Sequence, residues 1–154
     1  MTSVAAESPA QAEVAALLAS ADARAAALYP AESRHGATIE GLLAADTRFF
    51  VARRDGRAVG CGGYARLGPE AAELKRLFVD PSVRGQGVGV MIVQAVEAAA
   101  AAEGVRRLLL ETGVKSAEAL GLYRRLGFVE CAPFGSYRPD PLSVFMVKAL
   151  VAGA

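Results

Sequence analysis

The chain has no tryptophan, one histidine, two cysteines and three methionines among 154 residues. So thin a supply of imidazole and sulfur excludes a zinc module, and no metal is expected. Cys61 and Cys131 lie too far apart for a Cys-x-x-Cys pair; they read as small hydrophobes ahead of a bridge or a nucleophile. Charge of one sign is missing too. Seventeen Lys and Arg stand against sixteen Asp and Glu, a formal +1, so no global field argues for nucleic acid or an anionic membrane. Long apolar runs are absent, and the first residues lack the basic region and apolar core of a signal peptide. The expectation is a soluble cytoplasmic protein forming one domain over residues 1–154.

What is plentiful is apolar surface, 53% of residues with alanine supplying much of it, and glycine at one revealing place. Leu74, Leu77, Phe78 and Val79 sit in a run of strand formers that Asp80-Pro81-Ser82 stops. Arg84-Gly85-Gln86-Gly87-Val88-Gly89 then leads into Val90 and a helix whose Val88, Ile92, Val96 and Ala99 recur on one face. A helix opened by glycines presents bare N–H groups and the positive end of its dipole, a ready site for a diphosphate. Arg84 adds a fixed charge and a fork of donors. The competing reading is a turn that uses glycine for close packing only. The G-x-G-x-G spacing fails the dinucleotide fingerprint, and no Lys-Ser/Thr follows as a P-loop requires, which argues against a nucleotide binder.

Elsewhere the chain alternates helices and strands. Thr2–Ala6 reads as a strand, and Ser8-Pro9-Ala10-Gln11 as a capping box opening a helix that buries Val14, Leu17, Leu18, Ala21, Ala25 and Leu28. Tyr29-Pro30 ends it. Thr38–Ala45 reads as a second helix, and the strands flanking Asp55-Gly56 as a hairpin with a type I′ turn. Gly60, Gly62 and Gly63 mark a bulge, a close approach by a neighbour, or loose pairing. Glu103-Gly104 stops the central helix, Arg106–Glu111 is a compact strand, Ser116 and Gly127 bound the next helix, and Ser143–Lys148 reads as a final strand. The fold class is therefore α/β, a mixed, mostly antiparallel sheet with helices on both faces and a central right-handed parallel βαβ unit.

The strand, V-D-P, R-G-Q-G-V-G and helix together resemble the acyl-CoA-binding motif of the GNAT N-acetyltransferases. Ala119-x-x-Leu122-Tyr123-x-x-x-Gly127-Phe128 resembles that family's second signature, and the resemblance runs from Phe49 to Leu150. Cys61-Gly62-Gly63, Glu111-Thr112-Gly113 and the tail from Pro133 to Met146 are similar to a bacterial subgroup of small acetyltransferases. The resemblance implies a GNAT-like sheet with a splayed acyl-CoA cleft and acetyl-CoA as cosubstrate. It implies diphosphate contacts from Arg84, Gly85, Gln86, Gly87, Val88, Gly89 and Val90, and a pantetheine arm beside Leu77, Phe78 and Val79. It also implies an amine acceptor, and dimers by analogy. The family often has asparagine where this chain has Ser116, which can contact the cofactor or simply cap its helix.

An amine must lose a proton and a thiolate must gain one. Glu73 is the first candidate base, matching an acidic position used as base in some members; its bland alternative is an ion pair with Lys75 or Arg76. Glu111 is the second. Tyr123 matches the family's general acid, against a plain core role, because a phenol can protonate a departing thiolate without itself ionising at neutral pH. Glu32 and His35, in a polar loop between helices, and Tyr137, with Arg138 and Asp140 in a later loop, are candidate acceptor contacts or simply solvated connections. The expected activity is direct acetyl transfer to a primary amine of a small molecule or amino acid derivative. A protein N-terminus or lysine as acceptor, and a silent acyl-CoA-binding module, are the alternatives.

Overall fold

A computed structural model describes residues 1–151. Seven strands, β1 (Thr2–Ala6), β2 (Thr47–Arg54), β3 (Arg57–Arg66), β4 (Ala71–Val79), β5 (Arg107–Gly113), β6 (Val129–Glu130) and β7 (Ser143–Ala149), form one sheet in the order β1-β2-β3-β4-β5-β7-β6. Only the β4–β5 pair is parallel, joined through helix α3 (Val88–Ala102) as the βαβ reading requires. Helices α1 (Ala12–Leu28) and α2 (Ile39–Leu42) cover one face. α3 and α4 (Ala117–Arg125) cover the other. No helix among the described residues is long and apolar enough to cross a membrane.

Alternation along β2 builds both cores at once: Phe49 and Val51 pack with Val14, Leu17 and Leu18 of α1, while Phe50 and Ala52 face the α3 side. The hairpin turn is the expected one, with Asp55 and Gly56 at φ 51° and 81°. Two boundaries differ from expectation. α1 starts at Ala12 without a side-chain cap, because the Ser8 hydroxyl instead accepts from the Ala10 N–H and the Gln11 amide turns back to Glu7 and the Ser8 carbonyl. α2 is one turn long, capped by Thr38 through the Gly41 N–H.

The β3 glycines mark both a bulge, with the register shifting between Cys61 and Gly63, and close approach by neighbours. A Cβ on Gly60 or Gly62 would meet Ile92 of α3 at 2.9 or 3.0 Å, and one on Gly63 would run into the Arg48 carbonyl oxygen of β2. Gly60 and Gly62 let α3 lie flat on the strands that carry the site. Gly63→Ala has no flexible neighbour to displace, so its backbone must shift. Denaturant unfolding should show a loss of about 1–3 kcal/mol.

Candidate active site

The site begins where two parallel strands part. Pairing of β4 with β5 stops at Glu73↔Leu109, while β4 runs on to Val79 and β5 to Gly113. One cause is a bulge. Between Cys61↔Phe78 and Gly63↔Lys75, Gly62 alone faces both Arg76 and Leu77, and Arg76 takes a left-handed φ of 56°. Lys75 and Arg76 are thereby turned to the same face, where Arg76 pairs with Asp22 of α1 at 2.7 Å and reaches the Leu18 carbonyl. The strand bends away, and its backbone groups on the β5 side are left without a strand partner.

The resulting cleft encloses about 1180 Å³. At one end lies the glycine turn. Gly85 and Gly87 have φ of 78° and 81°, and no atom lies within 4 Å of the place a Cβ would take on either. Gly87 is the N-cap of α3, so the first N–H groups of that helix are aimed from a bare turn. Arg84 leans over the Phe78 ring at 5.8 Å, donates to the Val79 carbonyl at 3.4 Å, and pairs loosely with Glu118 at 3.5 Å. Leu77, Phe78, Val79, Val88, Gly89 and Val90 also line the cleft. Gln86 does not; its side chain accepts from Arg54 on the outer surface.

At the other end, alternation sends Glu73, Lys75 and Glu111 to the α1 face, since Leu74, Leu108 and Leu110 fill the core under α3. Glu73 is 4% exposed. Its Oε2 accepts from the Tyr137 hydroxyl at 2.5 Å and its Oε1 lies 3.3 Å from Lys75 Nζ. The ion pair with Lys75 is thus present, and the same glutamate lines the cleft. Burial, and then the bond to Glu73, push the Tyr137 phenol up from its ordinary value, so it stays a donor. Glu111 accepts from Ser143 at 2.8 Å, and burial raises its carboxyl despite that bond. Tyr123 of α4 lines the cleft and packs edge-on to Phe128 at 5.6 Å. Burial first, and then the charge of Glu111, raise its phenol from the ordinary 10.0.

Loops roof this end. Ser33 donates to Asp140 at 2.6 Å, tying the α1–α2 connection to the β6–β7 loop, and His35 stacks edge-on against Tyr137 with centroids 5.2 Å apart. A second hollow of about 720 Å³ opens beneath that roof and shares His35, Gly36, Glu73, Lys75 and Tyr137 with the main cleft. Glu32 lines this hollow alone.

Sequence reasoning missed Tyr29. Its hydroxyl sits 2.9 Å from Ser116 Oγ and accepts from the Lys115 N–H, in a space that any side chain on Gly113 would fill. Ser116 is therefore the N-cap of α4 without a side-chain capping bond; its hydroxyl is spent across the cleft on α1. Nothing local in Tyr29-Pro30 signals a contact with residues so distant in the chain.

The pattern of the acetyltransferase (GNAT) family matches residues 14–128, from the first buried residue of α1 through the aromatic that follows α4. This chain belongs to that family. Among curated relatives of this GNAT acetyltransferase, an IAA acetyltransferase of Azospirillum brasilense is 46% identical over 96% of this chain and 97% of its own. A Klebsiella pneumoniae structure described provisionally as an acyl-CoA N-acyltransferase superposes with a TM-score of 0.83, at 34% identity, covering 98% of this chain and 99% of its own. A GNAT acetyltransferase of Elizabethkingia anophelis, solved with acetyl-CoA bound, shares the fold at a TM-score of 0.73 and 18% identity, covering 97% of this chain and 98% of its own. The family uses acetyl-CoA and acts on amine acceptors, so the chain is an N-acetyltransferase.

Proposed function

We propose that residues 1–154 act as one domain that moves an acetyl group from acetyl-CoA directly to the primary amine of a small molecule or amino acid derivative. The observation that carries this reading is the meeting of two cavities at one carboxylate. The long cleft and the smaller hollow share the wall made by Glu73, Lys75, Tyr137 and His35. Donor and acceptor can therefore be present together on either side of the reacting position. A cytoplasmic location and, by analogy with the family, pairing into a homodimer belong to the same reading.

The residues present fit acetyl-CoA. The turn is bare at Gly85 and Gly87, where a diphosphate would lie, with Arg84 beside it, and β4 from Leu77 to Val79 has no strand partner on its β5 side, where a pantetheine arm would lie. When bound, acetyl-CoA supplies an activated thioester carbonyl and a thiol leaving group. The chain supplies the proton chemistry. An aliphatic ammonium has a pKa of about 10, so it must give up a proton at neutral pH before it attacks. Glu73 takes that proton, with Glu111 as its neighbour on the same face, and Tyr123 delivers one to the departing sulfur from the opposite side.

A covalent acyl-enzyme is not needed and is poorly served. Cys61 is fully buried, its thiol donates to the Arg76 carbonyl, and burial pushes its pKa up to about 12. The half-buried Cys131 is raised for the same reason. Thiolate is the reactive form, so neither is poised to attack. The test is intact-protein mass after incubation with acetyl-CoA, followed by thiol release on adding a panel of primary amines, with IAA, which has no primary amine, assayed beside them as a separate comparison compound. The expected result is an unmodified protein and amine-dependent release of free thiol. An acetyl adduct that an added amine discharges would replace direct transfer with a two-step route.

A further inference from the structure

Resting on that reading, we infer that the acceptor is an amino-carboxylate, a free amino acid or close analogue, whose ammonium meets Glu73 while its carboxylate is held by Lys75 and Arg138. The smaller hollow is lined by both of these cations together with Glu73, Tyr137 and Asp140. A simple amine arriving at Glu73 finds that carboxylate already paired with Lys75 at 3.3 Å, in a place where the glutamate side chain is 6% exposed and the lysine 25%. Two cations competing for one carboxylate with so little water between them repel strongly. A diamine or polyamine meets Arg138 as well and is disfavoured further.

A zwitterion removes the conflict. Its ammonium sits against Glu73, its carboxylate against Lys75, and the four charges alternate in sign. Arg138 has no ion-pair partner among the described residues and is left to complete the carboxylate's cation shell. The acidic groups of the hollow do not take that place. Asp140 is spent on the Ser33 hydroxyl and the Leu142 N–H at 2.6 and 2.8 Å, and Glu32, exposed at the rim as Arg138 is, makes no ion pair with it. The aromatic wall supports the same substrate class. Tyr137 packs edge-on with His35 and Phe134, both at 5.2 Å, and gives a flat surface along which an acceptor's carbon skeleton can lie.

The test compares kcat/KM, by thiol release with saturating acetyl-CoA, for amino acids against their decarboxylated and amidated counterparts, such as phenylalanine with phenethylamine and phenylalaninamide. The wild type should favour the free carboxylate by about tenfold to hundredfold, the value of charge-assisted hydrogen bonds at a partly buried site. Arg138→Gln should collapse that ratio chiefly through KM for the carboxylate acceptor, with Arg138→Lys recovering part of it. Equal or better turnover of the decarboxylated amines overturns the amino-carboxylate assignment and leaves the transferase standing. No turnover of any acceptor by protein that binds acetyl-CoA overturns the transferase reading, and this inference with it.

Discussion

Gly87→Glu should abolish acetyl-CoA binding in a protein that remains folded. Two costs are combined at that position. Gly87 has a φ of 81°, so any L side chain is strained there by roughly 1–2 kcal/mol. No neighbour lies within 4 Å of the added Cβ, so the carboxylate stands in the open mouth of the turn without disturbing the core. Its charge cancels the positive end of α3 and repels a diphosphate. A like charge ~4 Å away at an effective dielectric of ~20 costs roughly 4 kcal/mol, or about a thousandfold in affinity. Gly87→Ala separates the contributions, carrying the strain without the charge, and should weaken binding by no more than about tenfold. Calorimetric titration of both variants, with far-UV dichroism as the folding control, makes the comparison. Equal affinity of Gly87→Glu and wild type would remove the turn from the binding site.

This turn was legible because its physics is local. Glycines that need positive φ, a proline stop and an apolar period of 3.6 all lie within one short stretch, and each fixes backbone geometry without help from distant residues. The hairpin at Asp55-Gly56 was legible for the same reason. The order β1-β2-β3-β4-β5-β7-β6 is another matter; local signals place the strands and the parallel βαβ unit, but none fixes which strand neighbours which. The acceptor end was harder still. Glu73 could be named, but its two partners come from opposite directions: Lys75 is two residues on along the same strand, and Tyr137 descends from a loop near the end of the chain. Arg76 and Lys75 share a face only because of a bulge that the glycines of β3 hint at but that no pattern in E-L-K-R-L-F places. Strict alternation would place them on opposite sides. The tether from Tyr29 to Ser116 is long-range in the same way, and the missing side chain of Gly113 that makes room for it has meaning only once the fold brings them together.

Tyr123→Phe should lower kcat by about 10²- to 10⁴-fold, the usual contribution of a positioned acid, while leaving the KM for acetyl-CoA nearly unchanged. Raised by burial and by the charge of Glu111, the phenol is fully protonated across the working range of the enzyme and keeps its proton to give. Its value as a donor depends on what it protonates. A thiolate leaving group has a conjugate-acid pKa of about 8.5, so below that pH departure gains from a delivered proton and above it the sulfur can leave as the anion. The defect of Tyr123→Phe should therefore shrink as the assay is carried from about pH 7 to about pH 9.5. A packing role predicts otherwise. Removing the hydroxyl keeps the ring against Phe128, and the hydroxyl has no hydrogen-bond partner among the described residues, so unfolding stability should change by less than about 1 kcal/mol. Any loss of rate from mispacking would be the same at every pH. The pH course of the wild-type to variant ratio therefore decides the point: a ratio that converges toward one at high pH marks Tyr123 as the acid, and a constant ratio returns it to the core.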